Sequence, residues 1–138
     1  MPIKNPSILA AEYVADTVAL IVYLENRRLG ADSQAIFDSA ENSNTIIHIP
    51  AIVFAEILHL SEKQRISTNL QKVKNLLQTN SNFRESPLTQ AIIETAAQIT
   101  DIPELHDRLI SATARHLNLE LITTDAKIQN SIFVKTVW

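Results

Sequence analysis

Four acidic residues stand where carboxylates from distant parts of the chain can meet: Asp16, Glu56, Asp107 and Asp125. If they converge, their mutual repulsion raises their pKa values unless a cation neutralises them. Carboxylate oxygens suit the hard ions Mg²⁺ and Mn²⁺, and Mg²⁺ retains waters that substrate oxygens can displace. Such a site can hydrolyse a phosphodiester by activating a water and stabilising the leaving oxygen. No run of alternating oxygen ligands resembles a calcium-binding loop.

The elements that must position these acids follow from the hydrophobic pattern. A short strand over Glu12–Ala15 ends at Asp16, and apolar residues at helical spacing predict a helix over 17–28. A second helix is expected over 33–41, and the β-branched run 45–49, closed by Pro50, predicts a strand. A strongly apolar helix over 51–60 and a more polar one over 61–80 come next. The segment 82–85 reads as a weak strand, stopped by Ser86 and Pro87. Helices over 88–100 and 107–117, a strand over 119–123, a short helix over 125–130 and a last strand over 132–137 complete the pattern. Strands alternating with helices predict an α/β fold with a mostly parallel sheet covered on both faces. In such sheets ligands bind at the carboxyl ends of the strands, where Asp16 and Asp125 fall.

Each acid also has a plainer role. An Asp at a strand–helix junction is a favoured N-cap, and Asp16, Asp107 and Asp125 all suit it. Glu56 is different, because Ile52 and Leu60 flank it at i−4 and i+4 on one helical face. No Lys or Arg occurs between Arg28 and Lys63, so no cation within helical reach can pair with it. A carboxylate on a buried face is costly unless it is paired, protonated or metal-bound.

Composition bounds the answer. The chain of 138 residues, 46% hydrophobic and 20% charged, is the size of one globular domain spanning 1–138. With no cysteine it has neither disulfides nor a thiolate metal site, and with a single glycine, Gly30, it has no Gly-rich phosphate loop. No apolar run approaches the roughly 20 residues of a membrane span, and the Met1–Pro6 start does not read as a signal peptide, so a cytoplasmic protein is expected. The formal charge of −3 argues against a nucleic-acid binder at first sight, but setting the four acids aside leaves the remaining charges nearly balanced.

At this point the sequence resembles the PIN-domain family, and in particular the VapC-type ribonuclease toxins of prokaryotic toxin–antitoxin pairs. The resemblance is carried in order by Tyr13-Val14-Ala15-Asp16-Thr17, by Ile49-Pro50-Ala51-Ile52-Val53-Phe54-Ala55-Glu56, by His106-Asp107-Arg108-Leu109-Ile110-Ser111-Ala112-Thr113 and by Leu121-Ile122-Thr123-Thr124-Asp125. It implies a three-layer α/β/α sandwich and a Mg²⁺- or Mn²⁺-dependent endoribonuclease, with Asp16, Glu56, Asp107 and Asp125 as the catalytic, metal-holding acids. Thr17, Thr123 and Thr124 are the hydroxyls suited to orient those ligands. It also implies a cognate antitoxin, and the amphipathic helices before Asn80 offer apolar surface for that partner or for a homodimer. One position departs from the family: two residues after the first Asp, where Ser, Asn, Thr or His is frequent, stands Val18.

Among the remaining candidates, Arg108 and Lys127 lie beside two of the acids and are the best phosphate contacts for an RNA substrate. His48, His59, His106 and His116 show no tight ligand spacing, and His106 reads as an exposed loop residue. Asp101 and Glu104 read as linker acids. An aspartyl phosphotransfer domain also places Asp after its first strand, but the phosphatase kind needs a second Asp where Val18 stands and the receiver kind an acid pair. The other alternative is a non-catalytic PIN-like module that binds a protein or RNA partner.

Overall fold

The computed structural model describes residues 11–42 and 44–138; the Met1–Pro6 start lies outside them. The strands are β1 (Glu12–Ala15), β2 (Ile46–Pro50), β3 (Phe83–Ser86), β4 (Glu120–Ile122) and β5 (Thr136–Val137). The helices are α1 (Thr17–Leu24), α2 (Ala31–Asn42), α3 (Ala51–Glu62), α4 (Leu70–Thr79), α5 (Gln90–Gln98), α6 (Leu105–Leu117) and α7 (Ala126–Gln129). The strands form one parallel sheet in the order β3-β2-β1-β4-β5. This is the α/β sheet flanked by helices that the alternating pattern predicts.

β1 lies at the centre, and its Tyr13, Val14 and Ala15 are all buried, as a strand covered on both faces requires. Val14 sits opposite His48 of β2 on one side and Leu121 of β4 on the other. The chain lays β2 and β3 on one side of β1, then returns to lay β4 and β5 on the other. Right-handed crossovers in opposite directions place helices on both faces. They also open a crevice at the carboxyl ends of β1 and β4. The core away from that crevice includes three stacked rings: Tyr23 and Phe37 have centroids 4.4 Å apart, and Tyr23 and Phe83 5.6 Å apart.

Several expected elements are shorter than the pattern predicts, and the ends of three have a visible cause. The helix over 17–28 ends at Leu24, because Asn26 takes a left-handed conformation (φ 54°). The expected helix over 61–80 is broken after Glu62, where Gln64 turns left-handed (φ 56°), and restarts at Leu70 with Asn69 as its cap. Glu25 closes that gap by accepting from the backbone N–H of Ser67 and Thr68 at 2.7 and 3.0 Å. The last strand keeps only Thr136–Val137, because groups before it bond elsewhere. Asp101 accepts from the Ser131 hydroxyl and the Ile132 N–H, and Arg115 donates to the Phe133 carbonyl. Among the described residues no helix is long and apolar enough to cross a membrane.

Candidate acidic site

Asp16 follows β1 directly, and Asp125 follows β4 after Thr123 and Thr124. Glu56 stands on the second turn of α3, which leaves β2 without a linker, and Asp107 stands in the first turn of α6. All four line one cavity of about 410 Å³ at the carboxyl edge of the sheet. Thr17, Thr124, His59, His106 and Val18 share its wall.

Two of the acids cap helices and face the cavity at once. Asp16 Oδ1 accepts from the Ala19 N–H at 2.8 Å, and Asp125 Oδ1 from the Ile128 N–H at 3.1 Å, so each carboxylate starts a helix with one oxygen. Asp107 is not a cap. Glu104 caps α6 instead, its carboxylate accepting from the N–H groups of Asp107 and His106 at 2.8 and 3.1 Å, which corrects its reading as a linker acid. Thr123 bridges the first and last acids: its hydroxyl accepts from the Asp125 N–H at 3.0 Å and hydrogen-bonds the Asp16 carboxylate. On Glu56, the Thr17 hydroxyl donates to Oε1, and His106 Nδ1 lies 3.2 Å from Oε2. The partner that Glu56 lacks on its own helix comes from another one.

Burial and crowding set the charge. Asp16, only 6% exposed, has its pKa pushed up to about 6, mainly by burial and further by Asp125 and Asp107, against the lowering bonds from Thr123 and Ala19. Asp107 is also pushed up to about 6, by desolvation and then by Asp125, Glu104 and Glu56, with His106 opposing. Both carboxyls are thus raised first by burial and then by the negative charge that the acids place around one cavity.

The cavity leaves out part of the expected site. Arg108 lies on α6 outside its lining, with Nε buried and unpartnered among the described residues, and Lys127 is exposed on α7. Sequence reasoning missed His106 and His59 as cavity residues. His106 belongs to α6, not to a loop, and His59 lies one turn beyond Glu56 on α3; that i, i+3 spacing was the available signal. His48 pairs with Glu12 at 2.6 Å and does not line the cavity.

Among the described residues no three Asp, Glu or His side chains stand close enough around one point to enclose a metal ion. The donor set still fits a hard divalent ion. Its members are carboxylates, Asp16 and Asp125 each keep an oxygen free of the helix cap, and Mg²⁺ is often held by one or two carboxylates with water and phosphate completing its shell.

The chain belongs to the PIN domain family, whose model matches residues 13–131. No curated protein matches it in sequence. Its structure is similar to that of VapBC2 from Rickettsia felis bound to a DNA fragment from its promoter, with 17% identity, a TM-score of 0.69 and coverage of 93% of this chain and 99% of that one. It is also similar to a toxin–antitoxin complex from Klebsiella pneumoniae, with 26% identity, a TM-score of 0.66 and coverage of 91% and 96%. The PIN domain endonuclease Utp24 matches at 18% identity and a TM-score of 0.52, covering 88% of this chain and 76% of that one.

Proposed function

We propose that this chain, as one domain over 1–138, is a divalent-metal-dependent endoribonuclease and the toxin of a toxin–antitoxin pair. The observation that carries this reading is the meeting of Asp16, Glu56, Asp107 and Asp125, from four separate elements, on one cavity where two carboxyls are pushed up to about 6. The acids are the residues that would hold Mg²⁺ or Mn²⁺. A bound ion of this kind supplies Lewis acidity toward a phosphate oxygen and makes water a better nucleophile. Asp107, half-buried on the cavity wall, is suited to take the proton of the attacking water as the water oxygen bonds to phosphorus and the ribose oxygen leaves. Thr17 and Thr123 hold Glu56 and Asp16 in place, and Thr124 adds a hydroxyl at the wall. Arg108 and Lys127 would contact phosphates beyond the cavity.

Membership of the PIN family and the likeness to toxin–antitoxin complexes support an RNA substrate, a cognate antitoxin and a cytoplasmic setting. A homodimer is proposed on the apolar helical surface before Asn80. One observation favours a non-catalytic binding module instead: Val18, 51% exposed, presents an apolar side chain to the cavity. Incubating parent and Asp16→Asn with a mixed RNA pool in Mn²⁺, Mg²⁺ or EDTA separates the readings. Metal-dependent cleavage by the parent alone is expected. No cleavage and no Mn²⁺ binding by the parent would favour the module.

A further inference from the structure

Glu56 is held from two sides by groups on two other helices. Thr17, in the first turn of α1, donates its hydroxyl to Oε1, and His106, in the first turn of α6, reaches Oε2 through Nδ1 at 3.2 Å. The His106 side chain is half exposed and that of Glu56 24% exposed, so the contact closes one side of the cavity while leaving it open to solvent. The position of His106 is itself fixed. The Glu104 carboxylate takes the N–H groups of His106 and Asp107, locking the turn from which both side chains project. A carboxylate three bonds from its backbone has free rotamers to lose, and a hydroxyl donor on one oxygen with an imidazole nitrogen 3.2 Å from the other favours one of them before any ligand arrives.

We infer that His106 is a positioning residue, which fixes the carboxylate of Glu56 in the cavity through its Nδ1–H. It acts with Thr17 as the second jaw of a clamp that joins α1, α3 and α6. This deepens the nuclease reading, on which its catalytic consequence rests. The contact is made by one particular ring nitrogen, which gives the inference an atomic signature. The side-chain nitrogen of Asn falls near Nδ1 of His, whereas that of Gln falls near Nε2. Asn at this position can therefore donate to Glu56, and Gln cannot.

The test uses the full chain and two readouts. In the metal-free protein at alkaline pH, with the ring neutral, ring-nitrogen NMR should find His106 protonated on Nδ1, and Glu56→Ala should return it to the Nε2–H form. Calorimetry with Mn²⁺ alone should show His106→Ala and His106→Gln weakened about 10-fold, the usual scale for residues that orient ligands, and His106→Asn recovering most of the parent affinity. A His106 tautomer indifferent to Glu56→Ala overturns the inference, and so does equal affinity in the Asn and Gln variants. A parent that shows the Nδ1–H form but binds no Mn²⁺ upholds the clamp and overturns the nuclease reading instead.

Discussion

The backbone N–H of Asp16 donates to the carbonyl of Ile122 at 3.2 Å, tying the end of β1 to the end of β4. That bond extends the parallel ladder by one residue past Ala15, which pairs with Ile122, and carries the first acid onto the crevice. Thr123 then follows Ile122, and its hydroxyl accepts from the Asp125 N–H while it hydrogen-bonds the Asp16 carboxylate. The acids meet because strand order, not sequence distance, governs the neighbourhood.

The first prediction concerns that bridge. Thr123→Val preserves shape and removes the hydroxyl, so the pKa of Asp16 should rise above its parent value of about 6, since the Thr123 bond lowers it. Divalent-ion affinity at neutral pH should fall about 10-fold. Following the Asp16 carboxyl by NMR against pH, with Mn²⁺ calorimetry alongside, checks both.

A second prediction is a reversed pH dependence of stability. Asp16 and Asp107 have folded-state pKa values raised from 3.8 to about 6. Their stabilising contribution is thus complete below the unfolded value and is lost as pH rises through about 6. Asn at position 16 mimics the protonated form and keeps the helix cap. In metal-free protein, Asp16→Asn should nearly match the parent near pH 4 and exceed it by about 3 kcal/mol at neutral pH. Urea unfolding at both pH values measures this, and added Mn²⁺ should stabilise only the parent.

Much of this site was legible before the fold was known. Glu12–Ala15 reads as a short strand and ends where the structure ends it, and Glu56 stood out as a carboxylate with no partner on its own helix. The identity of that partner was not legible, because His106 reaches Glu56 only through the packing of α6 on α3. Nor could the residues 104–107 reveal which acid caps the helix. Glu104 and Asp107 are both acids that suit a helix start, and backbone geometry chose the first. The break at Gln64 was hidden for a related reason, since the left-handed turn there uses a residue with no preference for it.

A third prediction addresses the departure from the family pattern. Val18→Thr is nearly isosteric at an exposed helical position, so thermal stability should stay within about 0.5 kcal/mol of the parent. The added hydroxyl faces the cavity, and cleavage should rise about 5-fold, the equivalent of one ordinary hydrogen bond. Unchanged or lower cleavage would show that no polar contact is missing at this position.

A fourth prediction separates scaffold from site. Phe37 is fully buried against the rings of Tyr23 and Phe83, at centroid distances of 4.4 and 6.2 Å, and does not line the acidic cavity. Phe37→Ala should cost about 3–5 kcal/mol in denaturant unfolding. The fraction that remains folded should bind Mn²⁺ as the parent does.

The most direct test of the central claim is RNA cleavage by parent and Glu56→Gln at equal Mn²⁺, with both shown to be folded. Gln keeps the size of the side chain and one acceptor oxygen, enough for Thr17 or for His106 but not for both, and removes the negative charge. Loss of about 10²-fold or more in rate, with the parent silenced by EDTA, is the predicted result. Equal cleavage by the two proteins would contradict the assignment of this cavity as the nuclease centre.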